Sequence, residues 1–197
     1  MTLQNSSVQS SKLLRLVILA LLGSISLVLF FLNFPLPALP AYLKIDFSEV
    51  PALMASLIFS PIAGVIVIAI KNLLYLAVSG AGDPIGVFAN FLAGVMFVVP
   101  VSIIYHKFNK GVKSVVTGLL TGTVIMALGM SLLNYFFLLP AYSWFMGWEM
   151  TPEVMWVSVI AGVLPFNVIK GIIVGILFVL IFIKMRSWIE QKQTKAV

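Results

Sequence analysis

One lysine within an apolar segment is the residue of this sequence whose chemistry most needs an explanation. Lys170 lies in a hydrophobic run over residues 153–185. A lysine near the centre of a bilayer costs roughly 2.5–3.5 kcal/mol even on a lenient insertion scale, so its ammonium group needs a cavity or a polar partner. Asn167 lies one turn before it on the same helix face, and Pro165 should loosen the helix just above both. Asn167 and Lys170 therefore predict a compact polar site inside a membrane protein.

Other polar side chains lie within apolar runs and could reach the same cavity. Asn134 is placed toward the outer end of another run, and its amide can both donate and accept a hydrogen bond. Lys71, Asn72 and Asn90 are weaker candidates, for which ligand contact and helix packing are equally consistent. For all of these side chains the alternative is interhelical hydrogen bonding, with a lysine that snorkels.

Catalytic and metal-binding patterns are not found in the sequence. The chain has no cysteine, which excludes thiolate catalysis and cysteine-based metal sites. It also lacks a G-x-S-x-G serine and a G-x-x-x-x-G-K-[ST] phosphate loop. The single histidine, His106, follows an apolar run and is predicted to have a structural role at the membrane edge. We therefore predict a protein that is not an enzyme and has no catalytic residues, no metal and no ATPase motif of its own.

The acidic residues lie at the ends of apolar runs or in the segments between them. They are Asp46, Glu49, Asp83, Glu149 and Glu153, with Glu190 near the C-terminus. None is predicted at the middle of the membrane. Because a proton-coupled carrier usually needs a carboxylate or histidine relay there, this distribution argues against secondary active transport.

The composition predicts an all-α integral membrane protein. Of its 197 residues 61% are hydrophobic and 9% charged, and the mean hydropathy is +1.16. We expect a single bundle of six transmembrane helices with an outward-facing ligand cavity, formed by residues 13–186, with spans at about 13–32, 48–59, 62–78, 85–105, 114–139 and 153–185. Residues 1–12 should form a disordered cytoplasmic tail and residues 187–197 a second cytoplasmic tail. A signal peptide is the alternative for the first run, but its length and continuation into a loop favour a span.

The basic residues predict the orientation in the cell membrane. Of the twelve lysines and arginines, nine fall on the side of the predicted termini and Lys44 alone on the other. The nine are Lys12, Arg15, Lys107, Lys110, Lys113, Lys184, Arg186, Lys192 and Lys195. This asymmetry places both termini in the cytoplasm and explains the net charge of +6 without a nucleic-acid partner.

Residues 33–53, NFPLPALPAYLKIDFSEVPAL, contain the loop between the first two spans, on the outer side, and the start of the second span. Pro35, Pro37 and Pro40 fix the backbone, so this part should be extended. Ser48 is the predicted N-cap of the next helix, because Pro51 then falls in the first turn. The apolar segment suits a lid or recognition loop, and a stiff connector without a ligand role is the alternative.

Several of these stretches resemble the substrate-binding (S) subunits of energy-coupling-factor (ECF) transporters, and most closely the riboflavin-specific group. They are the proline-rich loop, the turn PIAG at residues 61–64, KNLL at 71–74, GVFANFLAG at 86–94 and residues 167–170. The resemblance implies high-affinity capture of riboflavin, as a transported ligand rather than a cofactor. It also implies uptake with a transmembrane coupling subunit and two cytosolic ATPase subunits.

The resemblance also implies roles for individual residues. The ligand contacts would be Asn134, Asn167 and Lys170, with Leu39, Pro40, Ala41 and Tyr42 closing the site. The coupling subunit would dock on the small-residue face of the first span at Ala20 and Ser24, where serine replaces the usual alanine. The alternatives are a secondary carrier, an S subunit for another small heterocyclic vitamin, and a membrane scaffold without a ligand.

Overall fold

The computed structural model describes residues 2–37, 39–40, 42–79, 82–147 and 149–196 and is dominated by six helical segments. The first four segments are α1 (Thr2–Phe31), α2 (Glu49–Ile58), α3 (Pro61–Ser79) and α4 (Pro84–Lys107). The fifth joins α5 (Val112–Leu133), a π-helical turn (Asn134–Leu138) and α6 (Leu139–Met146). The sixth joins α7 (Pro152–Val157), a second π-helical turn (Ser158–Val163) and α8 (Leu164–Ala196). The predicted all-α bundle of six helices is confirmed.

Five of the six segments are long and apolar enough to cross a membrane, over residues 12–31, 61–79, 84–107, 112–146 and 152–189. Helix α2 is the exception. Its ten residues rise about 15 Å, half the thickness of a bilayer's hydrocarbon core. Every residue of α2 is buried, so this helix belongs to the centre of the bundle. A Cβ on Gly64 of α3 would lie 2.7 Å from Ser56 Cβ, which explains the glycine after the tight turn between α2 and α3.

The loop between α1 and α2 folds back on itself. Strand β1 (Phe34–Pro35) pairs antiparallel with strand β2 (Lys44–Ile45), in the register Phe34 to Ile45 and Pro35 to Lys44. As predicted, Ser48 occupies the N-cap position of α2, but its side chain makes no capping hydrogen bond. The Ser48 hydroxyl accepts a hydrogen bond from the buried Lys71 ammonium group at 2.9 Å.

Pro140 and Pro165 lie just after the two π-helical turns, and the chain stays helical through both. The predicted loop over residues 140–152 begins too early, because the helix continues through Pro140 to Met146. The interruption expected at Pro165 is a π-helical turn that ends at Val163. The wider π turn relieves the clash between a proline ring and the preceding carbonyl groups, so the chain stays helical.

The end helices are longer than the sequence predicts. The structure extends α1 back to Thr2 and α8 forward to Ala196, across the segments expected to be a disordered tail and a polar tail. Extending an existing helix by one residue requires no new nucleus, so polar residues can continue a helix that apolar packing has started.

Candidate functional site

A cavity of about 390 Å³ lies between the loop after α1 and the surrounding helices. Its volume falls within the range of small-molecule sites, which is roughly 300–1,000 Å³. The apolar wall includes Phe30, Val87, Met130, Val163 and Phe166. The polar side chains in the lining are Asn33, Tyr42, Lys44, Asp46, Tyr75, Asp83, Asn90, Asn134, Tyr142, Asn167 and Lys170. The cavity thus combines apolar walls with polar groups that could orient a ligand.

Lys170 is held in the cavity wall by two carboxylates. Its Nζ lies 2.9 Å from Asp46 Oδ2 and 3.0 Å from Glu49 Oε1. Lys170 is 4% exposed, and Asp46 and Glu49 are each 1% exposed. Because water does not solvate these charges, each must be stabilised by the opposite charge beside it. An ammonium group has three donors, and two are used here, which leaves one for a ligand.

The two carboxylates correct the sequence interpretation. Asp46 and Glu49 were expected near the membrane surface, apart from Lys170, but the loop carries them into the bundle. Burial alone raises the pKa of the Asp46 carboxyl, but the Lys170 and Lys71 ammonium groups outweigh burial, and the net pKa shift is downward. A clue was present in the sequence, because a buried lysine needs a counter-charge and Asp46 and Glu49 border an apolar helix.

Lys71 supports the site from behind the cavity wall. Its Nζ donates to Ser48 Oγ at 2.9 Å and to Asn90 Oδ1 at 2.5 Å, and lies 4.9 Å from the centroid of the Phe30 ring. Lys71 is buried outside the lining, whereas Asn90 and Phe30 line the cavity. Lys71 therefore orients two lining side chains.

Asn72, Asn134 and Asn167 make the same local hydrogen bond within their helices but differ in position. Asn134 Nδ2 donates to Met130 O and Asn167 Nδ2 to Val163 O, both at 2.8 Å, and both residues line the cavity. Asn72 Nδ2 donates to Ile68 O at 2.9 Å, but Asn72 is buried outside the lining. The structure therefore brings Asn134 and Asn167 together with Lys170 and leaves Asn72 apart.

The two π-helical turns frame the same cavity. Asn134 is the first residue of one turn and Val163 the last residue of the other, and both line the cavity. π-helical turns occur frequently at functional sites because they redirect side chains.

The loop contributes fewer lining residues than its sequence suggests. Tyr42 lines the cavity and is 60% exposed, which places it at the mouth. Leu39 and Pro40 are half-buried but outside the lining, and Pro40 Cγ lies 3.4 Å from the position of a Cβ on Gly162. Ala41 lies outside the described residues.

Sequence reasoning did not identify the other polar groups at the mouth. Lys44 and Asp83 are exposed lining residues. The Tyr142 hydroxyl donates to the Asp83 carboxylate, with its oxygen 2.8 Å from Oδ1 and 2.9 Å from Oδ2. Because Tyr142 was placed in a loop and Asp83 lies 59 residues before it, no local pattern could pair them.

Ala20 and Ser24 lie on the outer surface of the bundle. Both residues are exposed, and Ser24 Oγ donates to Ala20 O at 3.0 Å within α1. Gly23 lies on the inner face, where a Cβ would come within 2.5 Å of Ile70 Cγ2. The small-residue face is therefore available for contact with lipid or another subunit.

No group of three or more histidine, cysteine or carboxylate side chains that could hold a metal ion occurs among the described residues.

Comparison with known proteins identifies the family. Residues 14–182 match the family model described as "ECF transporter, substrate-specific component". The chain belongs to this family. The S component is therefore a multi-pass membrane transport protein that works with ECF partners, not an enzyme, and the family resemblance seen in the sequence is confirmed.

Individual relatives of this S component are similar over nearly their whole length. It is 48% identical over 186 residues to the riboflavin transporter FmnP of Bacillus subtilis (strain 168). These residues make up 93% of this chain and 97% of the relative. It is 42% identical over 177 residues to the riboflavin transporter RibU of Staphylococcus aureus (strain TCH60), with 90% and 93% covered. A solved structure of the S component of a bacterial ECF transporter matches with a TM-score of 0.77 and 43% identity, over 90% of this chain and 98% of the other.

Proposed function

We propose that this S component captures riboflavin on the outer side of the membrane and supports its uptake into the cell. The observation that carries the proposal is the cavity in which Asn134, Asn167 and Lys170 meet. Similarity to two proteins named riboflavin transporters supports the choice of ligand.

The lining fits the chemistry of a flavin. The isoalloxazine ring is flat and largely apolar, and side chains such as Phe30, Met130 and Phe166 can contact its faces. Its uracil-like edge has donors and acceptors that match an asparagine amide, and the remaining donor of Lys170 can reach a ring acceptor. We assign Asn134, Asn167 and Lys170 to the ring edge, Asn90 to a secondary contact, and the segment of Leu39, Pro40, Ala41 and Tyr42 to closure of the mouth.

The orientation follows from the charges of the sequence. With both termini in the cytoplasm, the proline-rich loop and the cavity mouth face outward, where a vitamin is captured. The exposed Tyr42 then meets the ligand on entry.

The energy for uptake comes from partner subunits in this proposal. A transmembrane coupling subunit docks on α1 at Ala20 and Ser24, where small residues permit close approach, and two cytosolic ATPases drive the cycle.

A secondary carrier for this or another heterocyclic vitamin is the second candidate. The buried carboxylates of Asp46 and Glu49 favour it, since proton-coupled carriers use such groups. Both carboxylates are paired with Lys170, however, which gives each of them a structural role that does not require proton transfer.

Uptake of labelled riboflavin into vesicles separates the two candidates. We expect uptake only when the coupling subunit, both ATPases and ATP are present with this chain. Uptake by the isolated chain under a proton gradient would instead establish the secondary carrier.

A further inference from the structure

The exposed mouth of the cavity carries a carboxylate that the proposed ligand contacts do not use. Asp83 lies at the start of α4 and accepts a hydrogen bond from the Tyr142 hydroxyl of α6. Both residues line the cavity. The pair therefore presents a fixed negative group where a ligand enters.

Asp83 also occupies a position that could otherwise bind an anion. Free N–H groups at a helix N-terminus attract phosphate. Here Asp83 Oδ1 accepts the Gly86 N–H at 2.8 Å, so this end of α4 is capped by the chain's own carboxylate. A Cβ on Gly86 would overlap Asp83 Oδ2 and lie 2.9 Å from the Tyr142 hydroxyl oxygen, so glycine leaves room for the pair in this position.

The cations that line the cavity offer little to offset the negative charge of a phosphate group. Lys170 is paired with Asp46 and Glu49. Among the described lining side chains the other cation is Lys44, which is exposed at the mouth. A phosphate group would thus meet the Asp83 carboxylate without a buried cation to offset it.

The burial gradient of the cavity sets the direction of a flavin. Asn167 and Lys170 are each 4% exposed, whereas Asp83, Lys44 and Tyr42 are exposed. The apolar ring gains most at the buried end, so the polar side chain of a flavin extends toward the mouth. Hydroxyl groups of that side chain can donate to the Asp83 carboxylate, which only accepts, whereas a phosphate is repelled by it.

From these contacts we infer that Asp83 is a specificity-determining residue that favours a neutral, polyhydroxylated flavin over its phosphate ester. The inference rests on the proposed function and adds the chemical class that the mouth selects. Tyr142 acts as a positioning residue for the carboxylate.

The test compares two affinities in the full-length protein, purified in detergent. Riboflavin and flavin mononucleotide are titrated by fluorescence quenching. The ratio is the dissociation constant of flavin mononucleotide divided by that of riboflavin. We expect wild type to bind riboflavin more tightly, and Asp83→Asn to lower the ratio by at least about threefold, mainly through tighter binding of the phosphate ester. Asparagine and serine are both good N-caps, so Asp83→Asn and Asp83→Ser remove the charge while retaining the cap.

Lys44→Gln is the matched control, because it removes a charge of opposite sign from the same mouth. We expect it to raise the ratio or leave it unchanged. An unchanged ratio in Asp83→Asn and Asp83→Ser, or an equal decrease in Lys44→Gln, overturns the role of Asp83 while riboflavin capture stands. A wild-type protein that binds neither flavin overturns the proposed function itself.

Discussion

Lys170 Nζ lies 2.9 Å from Asp46 Oδ2, although 124 residues separate the two in sequence. The contact joins α8, in the wall of the cavity, to the loop after α1, which also lines the cavity. Glu49 adds a second ion pair at 3.0 Å from the first residue of α2. The same lysine therefore fixes the loop, and in the proposed function its remaining donor binds the ligand, which would couple the position of the loop to occupancy of the site.

Because of these ion pairs, we expect removal of the Lys170 ammonium group alone to lower the stability of the protein strongly. Lys170→Met leaves Asp46 and Glu49 buried without their ion-pair partner, and breaking a buried pair in this way costs about 3–5 kcal/mol. Lys71 remains as a nearby buried cation that offsets part of this cost. We expect a clear decrease in the thermal unfolding midpoint of the protein in detergent.

A compensated variant provides the control for this prediction. Lys170→Met combined with Glu49→Gln removes one charge of each sign and leaves Asp46 with Lys71 as its nearby cation. This double variant should recover most of the lost stability, because neutral groups are less costly to bury. Equal stability of wild type and Lys170→Met would show that the ion pairs do not hold the loop.

We expect replacement of an asparagine to weaken riboflavin binding only where that asparagine lines the cavity. Asn134→Ala and Asn167→Ala should each weaken riboflavin binding by about tenfold, the equivalent of roughly 1.4 kcal/mol for a lost ligand hydrogen bond. Asn72→Ala is a matched control, because Asn72 makes the same bond to its own helix outside the cavity lining. The affinities are measured by isothermal titration. If Asn72→Ala weakened riboflavin binding as much as Asn134→Ala and Asn167→Ala, the assignment of the latter two as ligand contacts would be wrong.

Sequence patterns anticipated the parts of this molecule that depend on local chemistry. Hydropathy and proline placement predict the six-helix bundle, and the cost of a buried charge singles out Lys170, which lines the cavity. The partners of Lys170 were not predicted, because the path of the loop depends on tertiary packing. The pairing of Asp83 with Tyr142 was also missed, since Pro140 reads as a helix end and the π-helical turn that accommodates it has no simple sequence signature.

The predicted orientation can be tested with single cysteines, because the chain has none of its own. Trp144 is 87% exposed on α6 and Lys113 is exposed at the start of α5. In intact cells an impermeant thiol reagent should label Trp144→Cys and not Lys113→Cys, and both should react after the cells are opened. The reverse pattern in intact cells would place the cavity mouth in the cytoplasm.

The face at Ala20 and Ser24 predicts that binding and uptake are separable. Ala20→Trp with Ser24→Leu adds bulk on the exposed side of α1, away from the cavity. We expect unchanged riboflavin affinity and loss of ATP-dependent uptake in vesicles that contain the whole transporter.

An equally bulky change on another helix controls for altered lipid contact. Leu132 is 61% exposed on α5, and Leu132→Trp should leave uptake intact. Similar losses of uptake in both variants would mean that α1 has no special role in docking.

The binding of riboflavin to the purified chain tests the central claim most directly. We expect added riboflavin to lose its fluorescence on binding, with saturation at one flavin per chain, and the washed protein to keep the yellow flavin absorption. A colourless protein that leaves riboflavin fluorescence unchanged would contradict the account.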